Sequence, residues 1–166
     1  MQFNVGDRVM HASQGSGQII AIEEKRLSGD EARLYYVVAT SHSKVWVPVE
    51  SGRASSLRLL ASNSDLAHCR VLLKSRPASL SADRRQRYLD LNHRLRLSSF
   101  EIRCEVIRDL TAHGWVKPLS EADATALRKI REDVCQEWAT AAGVPVSEAA
   151  REITVLLQEG RQRHGD

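Results

Sequence analysis

The apolar residues of this chain change their spacing at about residue 60, and that switch limits what the chain can fold into. Before it, apolar positions recur every second residue. The runs "DRVMHA" (7–12), "GQIIAIEE" (17–24), "ARLYYVVAT" (32–40) and "SKVWVPVE" (43–50) are short, rich in Val, Ile and Tyr, and bounded by Gly, Ser, Asp or His. Alternation of that kind puts one set of side chains on each face of a half-buried strand. "LSGDEAR" supplies a Gly-Asp turn, "TSHSK" a second connection, and "LRLLA" (57–61) a last short run. Four or five such strands with tight turns predict a small antiparallel β-barrel over residues 1–60. Closing the sheet would remove its exposed edges.

After residue 60 the spacing becomes helical. Ser64 is placed to cap a helix through Leu66, Arg70 and Leu73, stopped by Pro77. Ser81 is placed to cap a second, "ADRRQRYLDLNHRLRL". Ser98 and Glu101 have the spacing of a capping box for "SFEIRCEVIRDLTAH", with Gly114 as its end signal. Ser120 and Asp123 start a fourth helix whose apolar face is Leu127, Ile130, Val134 and Trp138. Pro145 and Ser147 open a fifth, "SEAAREITVLLQE", ended by Gly160. Strands first and helices after, without βαβ alternation, predict an α+β chain of two domains, 1–60 and 61–166.

A net charge of +3 over 166 residues is modest, but its distribution is uneven. Residues 1–60 carry a net of +1. Residues 70–103 hold nine Lys or Arg against three acids, a net of +6, and residues 104–166 carry −3. No apolar run is long enough to span a membrane, and "MQFNVGDRVM" lacks the pattern of a signal peptide. A cytoplasmic protein with no membrane partner is the expectation. Cys69, Cys104 and Cys135 are odd in number and lack CxxC spacing, which points to buried small hydrophobes rather than disulfides or zinc.

Catalytic machinery is not legible. His11, His42, His68, His93, His113 and His164 sit singly, and no nucleophile–base pair, carboxylate pair or metal cluster emerges. No catalytic residue, metal or cofactor is therefore assigned. "QGSGQ" (14–18) lacks the GK[ST] of a phosphate loop and the GxGxxG of a dinucleotide turn, so Gly15 or Gly17 is read as a positive-φ corner residue. The basic middle segment is more informative. Arg84, Arg85 and Arg87 fall in the first turns of the second helix, with Arg94 and Arg96 near its end. Tyr88, Leu91 and Leu95 would form that helix's apolar stripe. A solvated face is the plain reading of such a charge run. Local acids are too few to pair all these arginines, however, and the guanidinium fork suits phosphate, so contact with a nucleic-acid backbone is the functional reading.

"FNVGDRVMHASQGSGQIIAIEE", then "LYYVVAT" and "VWVPVE", resembles the amino-terminal domain of the CarD/CdnL family of bacterial transcription regulators, a domain shared with transcription–repair coupling factor. "RYLDLNHRL", "EVIRDL" and "KPLSEAD" are similar to the family's helical domain, in the same order. The resemblance implies an SH3/Tudor-like antiparallel β-barrel followed by an all-α domain of about five helices. It implies a monomeric binding protein at the nucleoid, not an enzyme. In the family the barrel docks on the RNA polymerase β subunit by adding a strand to a sheet, a mode in which main-chain hydrogen bonds supply affinity. By position, Arg26 and the strand residues Lys44, Val45, Trp46 and Val47 would lie at that surface. Trp46 faces opposite to Val45 and Val47, and a core position for it is an equal reading.

The helical domain of the family contacts promoter DNA, with a tryptophan acting as a minor-groove wedge. This chain departs from the pattern: Asp83-Arg84-Arg85-Gln86-Arg87-Tyr88 stands where the family has Asp-Trp-x-x-Arg-Tyr. Arg84 occupies the wedge position. Trp115 is read as lying between helices and Trp138 as core, so neither replaces the wedge. The expectation is a CarD-like regulator whose polymerase docking is retained and whose open-complex stabilisation is altered. The alternative is a non-specific DNA- or nucleoid-binding module without polymerase contact.

Overall fold

A computed structural model describes residues 2–26, 29, 31–49, 56–97 and 99–165. The chain divides into two compact units, Met1–Leu60 and Ala61–Asp166. The first is a five-stranded antiparallel sheet and the second is all helix, an α+β arrangement.

The strands are β1 (Arg8–His11), β2 (Gly15–Lys25), β3 (Arg33–Thr40), β4 (Lys44–Pro48) and β5 (Leu57–Leu59), in the spatial order β4-β3-β2-β1-β5. Phe3, Val9, Ile19, Tyr36, Val38, Val47 and Leu57 form the core of this unit. Strict alternation would send Ile19 and Ile22 to opposite faces. A bulge at Ile20 resets the register, so that Ile19 lies opposite Val38 and Ile22 opposite Tyr36. One extra residue thus keeps both isoleucines on the core side and bends the sheet towards a barrel.

Gly15 turns from β1 into β2 with φ of +79°, the corner role read from "QGSGQ". Gly17 serves a different purpose. A Cβ there would stand 2.7 Å from the Ala39 carbonyl oxygen, so the strands can approach only because it has none. The sheet does not close among the described residues. β5 is three residues long and pairs with β1 alone, which leaves β4 and β5 as edges. Asp30 of the Gly-Asp turn, and Ser51 to Ser55 before β5, lie outside the described residues.

The helices are α1 (Asn63–Lys74), α2 (Arg84–Arg96), α3 (Phe100–Val116), α4 (Glu121–Ala142) and α5 (Val146–His164). Their apolar stripes meet in one core, with Leu66, Cys104, Ile107, Val134, Trp138 and Ile153 among its most buried members. Ser120 caps α4, and Pro145 precedes α5, as the sequence indicates. Elsewhere the starts differ. Ser62, not Ser64, caps α1 through a reciprocal capping box with Asp65. Asp83, not Ser81, caps α2. The cap of α3 is Ser99, whose hydroxyl accepts from the Ile102 N–H, while Ser98 lies outside the described residues. In each case several polar residues precede the helix, and packing of the apolar stripe selects which one ends up at the first turn.

Two expected stops are passed. α3 runs through Gly114 to Val116 and so carries Trp115 in its last turn rather than in a connection. α5 runs through Gly160, where a Cβ would meet the Leu73 carbonyl oxygen of α1 at 3.1 Å. That glycine permits close helix packing and does not end the helix.

Candidate functional site

Two surfaces carry the chemistry that the sequence singles out, one on each unit. The first is the β4 edge. β4 has β3 on one side and no strand on the other among the described residues. The Val49 N–H donates to the Leu34 carbonyl, and the Thr40 N–H to the Ser43 carbonyl, both at 2.9 Å. With the register between them, this places the main-chain groups of Val45 and Val47 towards β3. Those of Lys44, Trp46 and Pro48 then point to the open side. Pro48 lacks an N–H, so the open edge presents two donors and three acceptors, and ends there as a pairing strand.

The side chains follow the alternation. Val47 is buried and Val45 half-buried on the core face, while Lys44 is exposed. Trp46 is on the outer face at 41% exposed, so it is not a core residue. Its Nε1–H donates to Glu23 Oε2 at 3.0 Å, and Lys25 Nζ stands 3.7 Å from its ring centroid. Glu23 and Lys25 belong to β2, two strands away, so the indole spans β3. The outer-face residues Tyr35 and Val37 on β3 are correspondingly only 8% and 2% exposed. A cation over an exposed indole contributes about 0.5–1 kcal/mol, enough to bias the ring flat against the sheet. Arg26 is exposed directly after β2, next to Lys25. Glu23 and Lys25 were not singled out by the sequence reading; only the strand register shows that they reach Trp46.

The second surface lies around α2, and here the five arginines part company. Arg87 is 5% exposed: Nε and Nη2 donate to Asp123 Oδ2 at 3.0 and 2.8 Å, and Nη1 donates to the Ser81 carbonyl at 2.8 Å. Burial would push the Asp123 carboxyl up, but hydrogen bonds from Arg87 and Ser120 outweigh it and hold the group below its usual range. Arg94 is half-buried and donates from Nη2 to Asp109 at 3.0 Å and to Glu105 at 3.3 Å. Asp109, 1% exposed, also accepts from Arg108 Nε and from the Ala78 N–H. Arg87 and Arg94 are therefore anchors that fasten α2 to α3 and α4. Neither offers a free guanidinium to a phosphate. The acids that pair them lie 11 to 36 residues further along the chain, which is why counting local acids did not find them.

Arg84, Arg85 and Arg96 are exposed, and none has a hydrogen-bond or ion-pair partner among the described residues. Tyr88 is 64% exposed and lies outside the apolar stripe, its expected inward place taken by Arg87. Leu89 and Leu97 are also exposed.

Further bases gather at the same end of the helical unit. Arg87 ties the start of α2 to Asp123 in the first turn of α4, directly after the end of α3. Arg161 of α5 lies 5.8 Å from the Trp115 ring at the end of α3, and Lys74 ends α1 beside Glu159. Exposed Arg76, Lys117, Arg161 and Arg163 thus join Arg84 and Arg85. Lys117, Arg161 and Arg163 were missed because they fall in the acidic third of the sequence. Trp138 is fully buried and donates to Glu152, a core residue as read.

The cysteines are buried, and Cys104 hydrogen-bonds Cys69. That bond and burial push the Cys104 thiol far up, so it is a poor nucleophile. Among the described residues no three His, Cys, Asp or Glu side chains come together as a metal group.

The sequence compares with known proteins as follows. Residues 3–59 match the family model described as CarD-like/TRCF RID domain. A Bacillus subtilis (strain 168) protein, "Putative transcription factor YdeB", is 26% identical over 144 residues, spanning 86% of this chain and 94% of that one. The barrel-like sheet coincides with the family match, and the likeness to the relative extends into the helical unit. The chain is thus similar to CarD-like proteins, by the family match over its sheet unit and by the relative over most of its length.

Proposed function

We propose that the chain is a transcription regulator that docks on the RNA polymerase β subunit through the β4 edge and contacts promoter DNA through the basic end of its helical unit. It acts by binding rather than by catalysis, as a monomer in the cytoplasm at the nucleoid. The observation that carries the docking half is the β4 edge, where the main-chain groups of Lys44, Trp46 and Pro48 are unpaired among the described residues and the indole of Trp46 is fixed beside them. A strand added there would gain main-chain hydrogen bonds, and Trp46, Lys25 and Arg26 would contact its side chains.

For the DNA half, the support is Arg84 and Arg85 at the start of α2, exposed and without a partner among the described residues, backed by exposed Arg161 and Arg163; Arg96, also exposed, lies at the other end of α2. Such groups hold phosphates without reading sequence. Arg84 suits a narrow minor groove electrostatically, yet it cannot wedge between base pairs as an indole does. The consequence is a regulator that alters open-complex lifetime differently from a member with tryptophan at that place. The test is co-purification of the tagged full chain with RNA polymerase, before and after nuclease treatment. Nuclease-resistant recovery of the β subunit is expected. Recovery of DNA without polymerase would replace this reading with that of a non-specific DNA-binding module.

A further inference from the structure

Between α4 and the first half of α5 lies a groove of about 460 Å³ that neither surface above uses. Leu119, Leu127, Val146 and Ala150 form its walls, and Cys135 lies at its floor. The α4 residues that line it run from Ala124 to Gln136, about 18 Å of helix axis at 1.5 Å per residue. It stays open because Ala124, Cys135 and Ala150, all small, stand where larger side chains would fill the space between the helices. Its size falls in the range of about 300–1,000 Å³ that holds small organic ligands.

The charge at the rim is uneven. Arg128 is exposed and has no ion-pair or hydrogen-bond partner among the described residues. Arg131 is held in place by a hydrogen bond to Thr154 Oγ1. Glu132 is the one acid among the lining residues. Burial pushes the Cys135 thiol up and the Arg131 charge opposes that push, so the positive field reaches the floor. The apolar lining is graded: Cys135 is buried and Leu127 half-buried, while Ala124 and Val146 are exposed at the mouth.

We propose that this groove binds a single-chain amphipathic carboxylate, its apolar chain lying along α4 and its carboxylate on Arg128 and Arg131. Apolar walls supply the affinity, and the two guanidinium groups select a carboxylate over a cation.

Dodecanoate, titrated calorimetrically into the full chain below its micellar range, tests this. One saturable site is expected. Ala150→Leu and Ala124→Leu, which fill the groove, should each weaken binding at least about tenfold with unchanged helical circular dichroism. Arg128→Gln should weaken it by about tenfold, the size of one lost charge-assisted hydrogen bond. Dodecyltrimethylammonium should bind the wild type at least about tenfold more weakly than dodecanoate. The proposal is overturned by any of four results: no saturable heat, equal affinity in both groove-filling variants, equal affinity for the cation, or a wild-type dimer that Ala150→Leu dissociates. The last would assign the groove to a second copy of the chain.

Discussion

Arg87 and Arg84, three residues apart on one helix, show how burial divides identical side chains into different roles. Arg87 and Asp123 form a pair with side chains 5% and 11% exposed. Removing one member leaves the other charge buried without its partner, at a cost of about 3–5 kcal/mol. Arg87→Gln and Asp123→Asn are each expected to lower the urea midpoint by a corresponding amount. The pair also sets a pH dependence. Because the Asp123 carboxyl is held below its unfolded value of about 3.9, its contribution is complete above that pH and is lost as pH falls through the folded value. Wild-type midpoints should therefore drop on acidification below about pH 4, with a component that Asp123→Asn lacks. An identical acid profile in the two proteins would count against this role for the pair. Arg84 is exposed and has no partner among the described residues, so its substitution should leave stability alone. Arg84→Trp should lengthen open-complex lifetime on a promoter template if the absent indole limits the activity. An unchanged lifetime would mean that Arg84 does not stand at the DNA fork.

At the scale of single elements, β4 separates its structural bonds from the groups it leaves open. Val45 and Val47 make the ladder to β3, while the Lys44 N–H points to the open side. Lys44→Pro should thus remove one docking donor without removing a ladder bond. Polymerase binding by the full chain should weaken several-fold while the thermal midpoint moves little; equal loss of both would place the Lys44 N–H inside the fold instead. The β4 residues were legible as a strand because Val45, Val47 and Val49 alternate with polar or aromatic neighbours. That Trp46 faces outward was not, since alternation names two faces without saying which is covered. That Ile19 and Ile22 share a face was not legible either, because one bulge at Ile20 changes the face of everything after it. In α2 the sequence shows a basic helix plainly. It does not show that Arg87 and Arg94 are consumed by Asp123 and Asp109, because pairs between helices depend on packing and not on chain proximity. The groove beside α4 was equally invisible, being defined by small side chains on two helices.

Across the molecule, the proposed function puts affinity for polymerase and affinity for DNA on separate units of one chain. The sheet unit carries a net charge near zero, while exposed Arg76, Arg84, Arg85, Lys117, Arg161 and Arg163 collect at one end of the helical unit. Joined in one chain, two weak contacts made at once reinforce each other through effective concentration. The DNA contact should carry nearly all of the salt dependence, since each neutralised phosphate releases counterions and adds about 0.9 to the slope of log affinity against log salt. Replacing Arg84 and Arg85 together by Gln should then reduce that slope by up to about 1.8. The same reduction is expected for Arg161 and Arg163 if the end of α5 shares the duplex. Arg87→Gln is the control: it should lower stability yet, where the protein is still folded, leave the slope unchanged. Filter-binding or anisotropy titrations of the full chain at several salt concentrations decide the matter. A slope that falls with Arg87→Gln but not with the Arg84 and Arg85 pair would reverse the assignment of which arginines meet phosphate.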